Sequence, residues 1–406
     1  MWFARRFTPT LVLTLLGAAL ACRDAESPTD PTPSVELSAA GAPLSFAQVS
    51  VSGFGSGSHS CGVTTDGRAY CWGLNTSGQL GIGSVFEGPE DCGNPCSTRP
   101  MAVVGGHRWL HVRAGDRFTC GLTTDNLAYC WGRNFEGQLG TTAAVVEGTP
   151  VPVSGGHKFR QIRVGVAHVC GITLANVAFC WGANWAGQLG DGTTIQRSTP
   201  VRVLGDFSWS ALTADYTQTC GVTSANKAYC WGANISGELG DGTTTRRLRP
   251  RAVAGGFAFR QIEAGFHDTC AVTTGNRAYC WGSNFNGGLG DNTRIDRLTP
   301  VPVAGSRLFD NVNTAGGSTC GVTLGGKGFC WGNNSVGQLG IGTYNYRLGP
   351  TLVAGNLLWT GIAIGGATCG VTTDHRAYCW GDNTDGQLGD GTRTQRPAPT
   401  AVVAPL

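Results

Sequence analysis

Apolar residues in this chain come in short runs, broken by Gly, Pro, Asn, Asp or Thr, and no long 3.6-residue apolar period runs through it. That pattern predicts many short strands joined by tight turns rather than amphipathic helices. Residues 259–305 show the grouping. Four strands are read from "FRQIEAG" (259–265), "TCAVT" (269–273), "RAYCWG" (277–282) and "TPVPVAG" (299–305). Turns such as Thr65-Asp66-Gly67 or Ala175-Asn176 separate the second strand from the third, using residues that tolerate positive φ. A Gly-rich loop, "SNFNGGLG" in this copy, separates the third from the fourth.

The N-terminus carries a different pattern. Arg5 and Arg6 precede an apolar stretch, Leu11 to Ala21, that is too short to span a bilayer comfortably and reads as an export signal over 1–21. Ala-Leu-Ala ahead of Cys22 resembles a bacterial lipoprotein cleavage site, with Leu20 two rather than three residues before the cysteine. Lipidation of Cys22 and ordinary cleavage after Ala21 are both open, and either removes the chain from the cytoplasm. Residues 22–43, rich in Pro, Ser, Thr and acidic side chains, read as a flexible tether.

From residue 44 to 406 the chain is one unit written seven times. Cys, nine residues, Cys-Trp-Gly and then a Gly-rich loop begin at Cys61, Cys120, Cys170, Cys220, Cys270, Cys320 and Cys369. An insertion at 84–100 lengthens only the first interval. Four short strands per unit of about 50 residues, repeated radially, make an all-β, seven-bladed propeller. "PTAVVAPL" (399–406) matches a fourth strand and "LSFAQVSVSG" (44–53) a first strand, so the ring is expected to close by pairing of the N- and C-terminal strands.

The Trp-Gly-x-Asn-x-x-Gly-Gln-Leu-Gly segments, as in Trp131 to Gly140, and the Ala-Gly pairs before the first cysteines resemble the regulator-of-chromosome-condensation repeat family. That resemblance covers residues 44–406 and implies a seven-bladed propeller. It also implies the family's range of roles, which includes guanine-nucleotide exchange factors for small GTPases, chromatin binders and an exported protein that binds its target by one propeller face. The first two roles need a compartment that this chain is expected to leave.

Across a hairpin, the paired cysteines of each unit fall opposite one another, within disulfide reach. The pairs are Cys61–Cys71, Cys120–Cys130, Cys170–Cys180, Cys220–Cys230, Cys270–Cys280, Cys320–Cys330 and Cys369–Cys379, and Cys92 with Cys96 completes sixteen. Zinc is disfavoured, because nine-residue gaps on hairpin arms do not gather four sulfurs. No metal and no cofactor are expected. The Trp after each second cysteine is expected to pack between blades, with sugar stacking the weaker reading.

The 41% hydrophobic and 14% charged composition suits a large core, and a net charge of +3 without a Lys/Arg run gives no support to nucleic-acid binding. The seven histidines share no repeat position and neighbour no nucleophile motif, so no catalytic set is read and no enzyme activity is expected. Loops one–two and three–four of each blade share a face, and their variable residues are where partner choice can be written. Phe118, Phe135, His168, Trp185, Tyr216, Ile235, Phe266, His267 and Phe285 cluster there on the second to fifth blades. The sixth and seventh offer Gly317, Ser335, Gly366 and Thr384. The expectation is an exported, monomeric protein-binding module without catalysis. A polysaccharide-binding lectin is the alternative, and membrane contact is by the lipid alone.

Overall fold

The computed structural model describes residues 43–53, 58–88, 90–91, 94–142 and 145–405. The export signal, Cys22, the tether up to residue 42 and Cys92 lie outside the described residues. Every regular element described is a strand.

Seven antiparallel sheets follow one another along the chain. The fifth is representative, with strands Phe259–Ala264, Asp268–Thr273, Ala278–Gly282 and Arg297–Pro302 paired in sequence order. The insertion in the first blade adds a two-residue edge strand, Glu90–Asp91, outside Pro95–Ala102. First strands lie innermost, and all seven line the axial cavity. Each begins with a buried aromatic: Phe46, Trp109, Phe159, Trp209, Phe259, Phe309 or Trp359.

The repeat motif is a device for joining neighbours. Trp281 of the fifth blade is fully buried, and its Nε1–H donates to the Glu238 carbonyl of the fourth at 2.9 Å. Gly240, two residues beyond Glu238, sits at φ +67°, where a Cβ would lie 2.6 Å from the Trp281 indole nitrogen. The glycine that ends Gln/Glu-Leu-Gly is therefore required by the tryptophan of the next copy. A second bond ties each inner strand back: the N–H of Phe259 donates to the carbonyl of Asn226, whose φ of +59° closes the preceding hairpin. The resulting cores straddle blades. Cys220, Val222 and Leu239 of the fourth blade pack with Phe259, Ile262 and Trp281 of the fifth. A blade alone would leave this surface in water.

Ring closure differs from the expected pairing of terminal strands. Phe46–Val51 pairs with His59–Thr64, and Arg396–Ala401 pairs with Ala377–Gly381, each within its own blade. The seventh seam instead repeats the other six: Trp72 Nε1–H donates to the Gln387 carbonyl at 2.9 Å and Phe46 N–H to the His375 carbonyl at 2.8 Å. Each of the seven units already contains its four strands in order, so no exchange of a terminal strand is needed to satisfy the sheet edges.

The seven hairpin disulfides are all formed, between residues directly opposite in register with Cα atoms 4.0 to 4.1 Å apart. Cys96 is also disulfide-bonded.

Candidate functional site

The loop between the third and fourth strands is held from within. Asn184 accepts the Leu189 N–H at 3.0 Å and donates through Nδ2 to the carbonyls of Thr193 and Ile195. Gln188 Oε1 accepts the Ala186 N–H, and Asp191 receives Thr193 and the Arg197 guanidinium. Burial alone would raise the Asp191 carboxyl, but hydrogen bonds from Thr193 and Arg197 outweigh it and hold it below the ordinary carboxylate value. The recurring Asp-Gly-Thr is thus loop architecture. Asn75 and Asn234, both in glycosylation sequons, use their buried amides in the same way.

With its neighbours fixed, the residue after each such asparagine is turned outward. On four consecutive blades it is large and apolar: Phe135, Trp185, Ile235 and Phe285 are 60%, 49%, 70% and 78% exposed. Thr76, Ser335 and Thr384 hold the equivalent places on the other three. The four residues form an arc on one side of one face. The Arg133 guanidinium lies over the Phe135 ring, 4.9 Å from its centroid.

Beside the arc, the Tyr216 and Phe266 rings stack at 4.5 Å, and His267 meets the edge of Phe266 at 4.3 Å. Phe266, His267, Asp268 and Phe285, with Gly317 and Asn333 opposite, line a groove of about 320 Å³ between the fifth and sixth blades. His267 Nδ1 stands 3.6 Å from the buried Glu238 carboxylate. Seven of the nine expected residues are therefore at least partly exposed on one face.

Phe118 and His168 are corrections. Both are fully buried. They occupy the position that opens the second strand, whose counterparts His59, Gln218, Asp268, Ser318 and Ala367 are buried as well. At His59, His168, Gln218 and Asp268 the side chain meets a polar partner on the next blade. Phe118 packs into the core shared with Phe159 and Trp181. His168 Nε2 lies 2.9 Å from Thr219 Oγ1, and since that hydroxyl donates to the Gln188 carbonyl, the ring nitrogen is the donor.

Burial pulls the His168 imidazole from 6.5 down to about 3, so the folded protein holds it neutral. The unfolded chain binds a proton below its ordinary value. The contribution of His168 is full above pH 6.5 and declines as pH falls towards 3. Urea unfolding at several pH values in this window is expected to show falling stability, with a shallower slope in His168→Gln. Equal slopes would remove His168 as the cause.

One further expectation meets the structure here. The seven tryptophans after the second cysteines are fully buried and cannot stack on a sugar. In the insertion, Glu90 turns back on its own hairpin and accepts the N–H and hydroxyl of Thr98. The described chain starts at Pro43 on the opposite face, beside the second–third strand turns, where the Ser45 carbonyl accepts the Thr65 N–H.

A set of side chains missed in the sequence lines the axial cavity: Arg113, Arg163, Thr213, Glu263 and Asn313 at one repeat position. Their signal in the sequence is variability at a strand position rather than in a loop. Among the described residues no group of three or more His, Cys, Asp or Glu side chains is placed to hold a metal ion, and no helix is long and apolar enough to cross a membrane.

Comparison with known proteins agrees with this architecture. Two models of the regulator of chromosome condensation (RCC1) repeat match residues 66–122, 125–172, 226–272 and 374–406, and 48–79, 109–138 and 259–287. The ultraviolet-B receptor UVR8 of Arabidopsis thaliana is 32% identical over 92 residues, 23% of this chain and 19% of that protein. The probable E3 ubiquitin-protein ligase HERC4 of Homo sapiens is 34% identical over 82 residues, 20% of this chain and 7% of the ligase. These matches cover at most about a fifth of the relatives' length. Among solved structures, human WBSCR16 superposes with a TM-score of 0.74 at 20% identity, covering 82% of this chain and 93% of that one. Prp20p of Saccharomyces cerevisiae, described with its binding properties to Gsp1p and histones, gives 0.73 at 18% identity, covering 84% and 87%. Together the repeat models cover more than half of the sequence: the chain belongs to the regulator of chromosome condensation repeat family.

Proposed function

We propose that the propeller is an extracytoplasmic protein-binding module, without catalysis, that docks its partner on the arc of Phe135, Trp185, Ile235 and Phe285. The observation that carries this reading is the arc itself. Four large apolar side chains stand on rigid loops where the remaining blades place Thr or Ser, and desolvating such a cluster drives protein association. The groove lined by Phe266 and Phe285 offers a place for one anchoring side chain. Description of Prp20p by its binding to Gsp1p and histones supports proteins as the class of partner.

Export is supported by seven hairpin disulfides, a chemistry of oxidising compartments, together with the N-terminal signal. The module works as a monomer in this reading.

The test is quantitative capture from an extract of the envelope and medium, comparing the native protein with Trp185→Ala/Phe285→Ala. One defined protein should be enriched by the native chain, and its affinity should fall by about a thousandfold in the double variant if each ring is a hot spot. Unchanged capture by a folded variant would sink the arc as the docking site. Selective binding on a glycan array with no protein enriched would favour the lectin.

A further inference from the structure

The axial cavity holds two positive charges that, among the described residues, no ion pair neutralises. Arg113 and Arg163 stand at one repeat position on the inner strands of the second and third blades, and line a cavity of about 130 Å³ at the end of the channel nearer the arc. That volume equals roughly four waters. Among the described residues no ion pair within 4.0 Å joins either guanidinium to a carboxylate. Arg113 Nε is buried without any hydrogen-bond partner, and Arg163 reaches only the neighbouring Ile162 carbonyl at 3.3 Å.

Two carboxylates line the same cavity, but both have donors of their own. Thr213 Oγ1 donates to Glu263 Oε2 at 3.0 Å, and the Tyr216 N–H donates to Asp215 Oδ1 at 2.8 Å. The unmet demand is therefore for acceptors. Burial first, and then the adjacent Arg163, pull the Arg113 guanidinium below its ordinary value to about 9, and the Glu263 carboxylate opposes this without cancelling it. Burial, Arg113 and Arg163 likewise hold His111 neutral, so it adds no third positive charge.

We infer that this end of the axial channel binds a small divalent oxyanion of the sulfate or phosphate type between the guanidiniums of Arg113 and Arg163. Planar, fixed donor forks suit the paired oxygens of such an ion better than they suit chloride. The opposite wall tunes the site. Burial raises Asp215 to about 7, the Tyr216 N–H opposes that, and Asp268 and Glu263 reinforce it. Below that value Asp215 is neutral and the cavity favours an anion; above it Asp215 joins Glu263 in repelling one.

The experiment is titration of the full chain with sulfate at constant ionic strength, chloride making up the balance. It is followed by calorimetry and by the thermal midpoint. Saturable one-to-one binding is expected, tighter at pH 6 than at pH 8, with that pH difference flattened in Asp215→Asn. Sulfate is used because it does not itself titrate in this range, and selenate provides the second divalent oxyanion. Arg163→Gln should weaken binding by about tenfold or more, and Arg163→Lys, which keeps the charge and loses the fork, should lie between. The inference is overturned if chloride stabilises the protein as sulfate does, if acetate binds and sulfate does not, if no saturable binding occurs, or if folded Arg163→Gln and Arg163→Lys bind like the native chain.

Discussion

Full reduction of the hairpin bridges is expected to leave the chain unfolded at about 37 °C, measured by far-ultraviolet circular dichroism after reduction in denaturant and return to buffer with reductant present. Each bridge closes a loop of ten residues in sequence separation. In the chain-entropy model such a loop is worth roughly 2.5 kcal/mol. The hairpin already restrains its own ends, so this figure is an upper bound per bridge. Seven bridges still sum to an amount comparable with the whole net stability of an ordinary domain, about 5–15 kcal/mol.

The bridging sulfurs are completely buried, so reductant added to the folded protein should act only as blades open. Reduction without denaturant is accordingly expected to be slow, and to proceed with loss of the β signal rather than ahead of it. A reduced chain that refolds to the oxidised midpoint would show that the seams alone hold the propeller.

Trp281→Ala is expected to cost about 3–5 kcal/mol in denaturant unfolding. The indole is fully buried at the seam of the fourth and fifth blades, among Val222, Leu239, Phe259 and Ile262, and its removal leaves a cavity that two sheets would have to move together to fill. Trp281→Phe should cost less. It keeps a ring in place and loses the bond to the Glu238 carbonyl, which Thr269 Oγ1 still satisfies at 2.8 Å. That bond alone is worth about 1 kcal/mol. Phe285→Ala, on the exposed arc, provides the contrast: its stability should stay within about 0.5 kcal/mol of native. If Trp281→Ala behaved like Phe285→Ala, the tryptophans would not be the joints of the ring.

How far the candidate site could be read in advance depended on where each variable residue sat. Phe135, Trp185, Ile235 and Phe285 were legible because the asparagine that fixes each of their loops is itself part of the repeated motif. Phe118 and His168 were not. They lie two residues beyond the position that holds Tyr216 and Phe266 in other copies, where the loop has ended and the second strand, covered by the next blade, has begun.

The amino-acid sequence by itself determined the number of blades, the four strands in each, the hairpin partners of the cysteines and the burial of the seven tryptophans. All of these follow from local pattern repeated at a fixed period, so each copy confirms the next. Only the tertiary structure decided how the ring closes, which residues at the second-strand start turn inward, and what faces the axis. Arg113, Arg163, Asp215 and Glu263 are separated by about fifty residues at each step and meet only because seven inner strands converge on one channel. Charge in such a place is set by neighbours from other copies, and no single repeat contains that information.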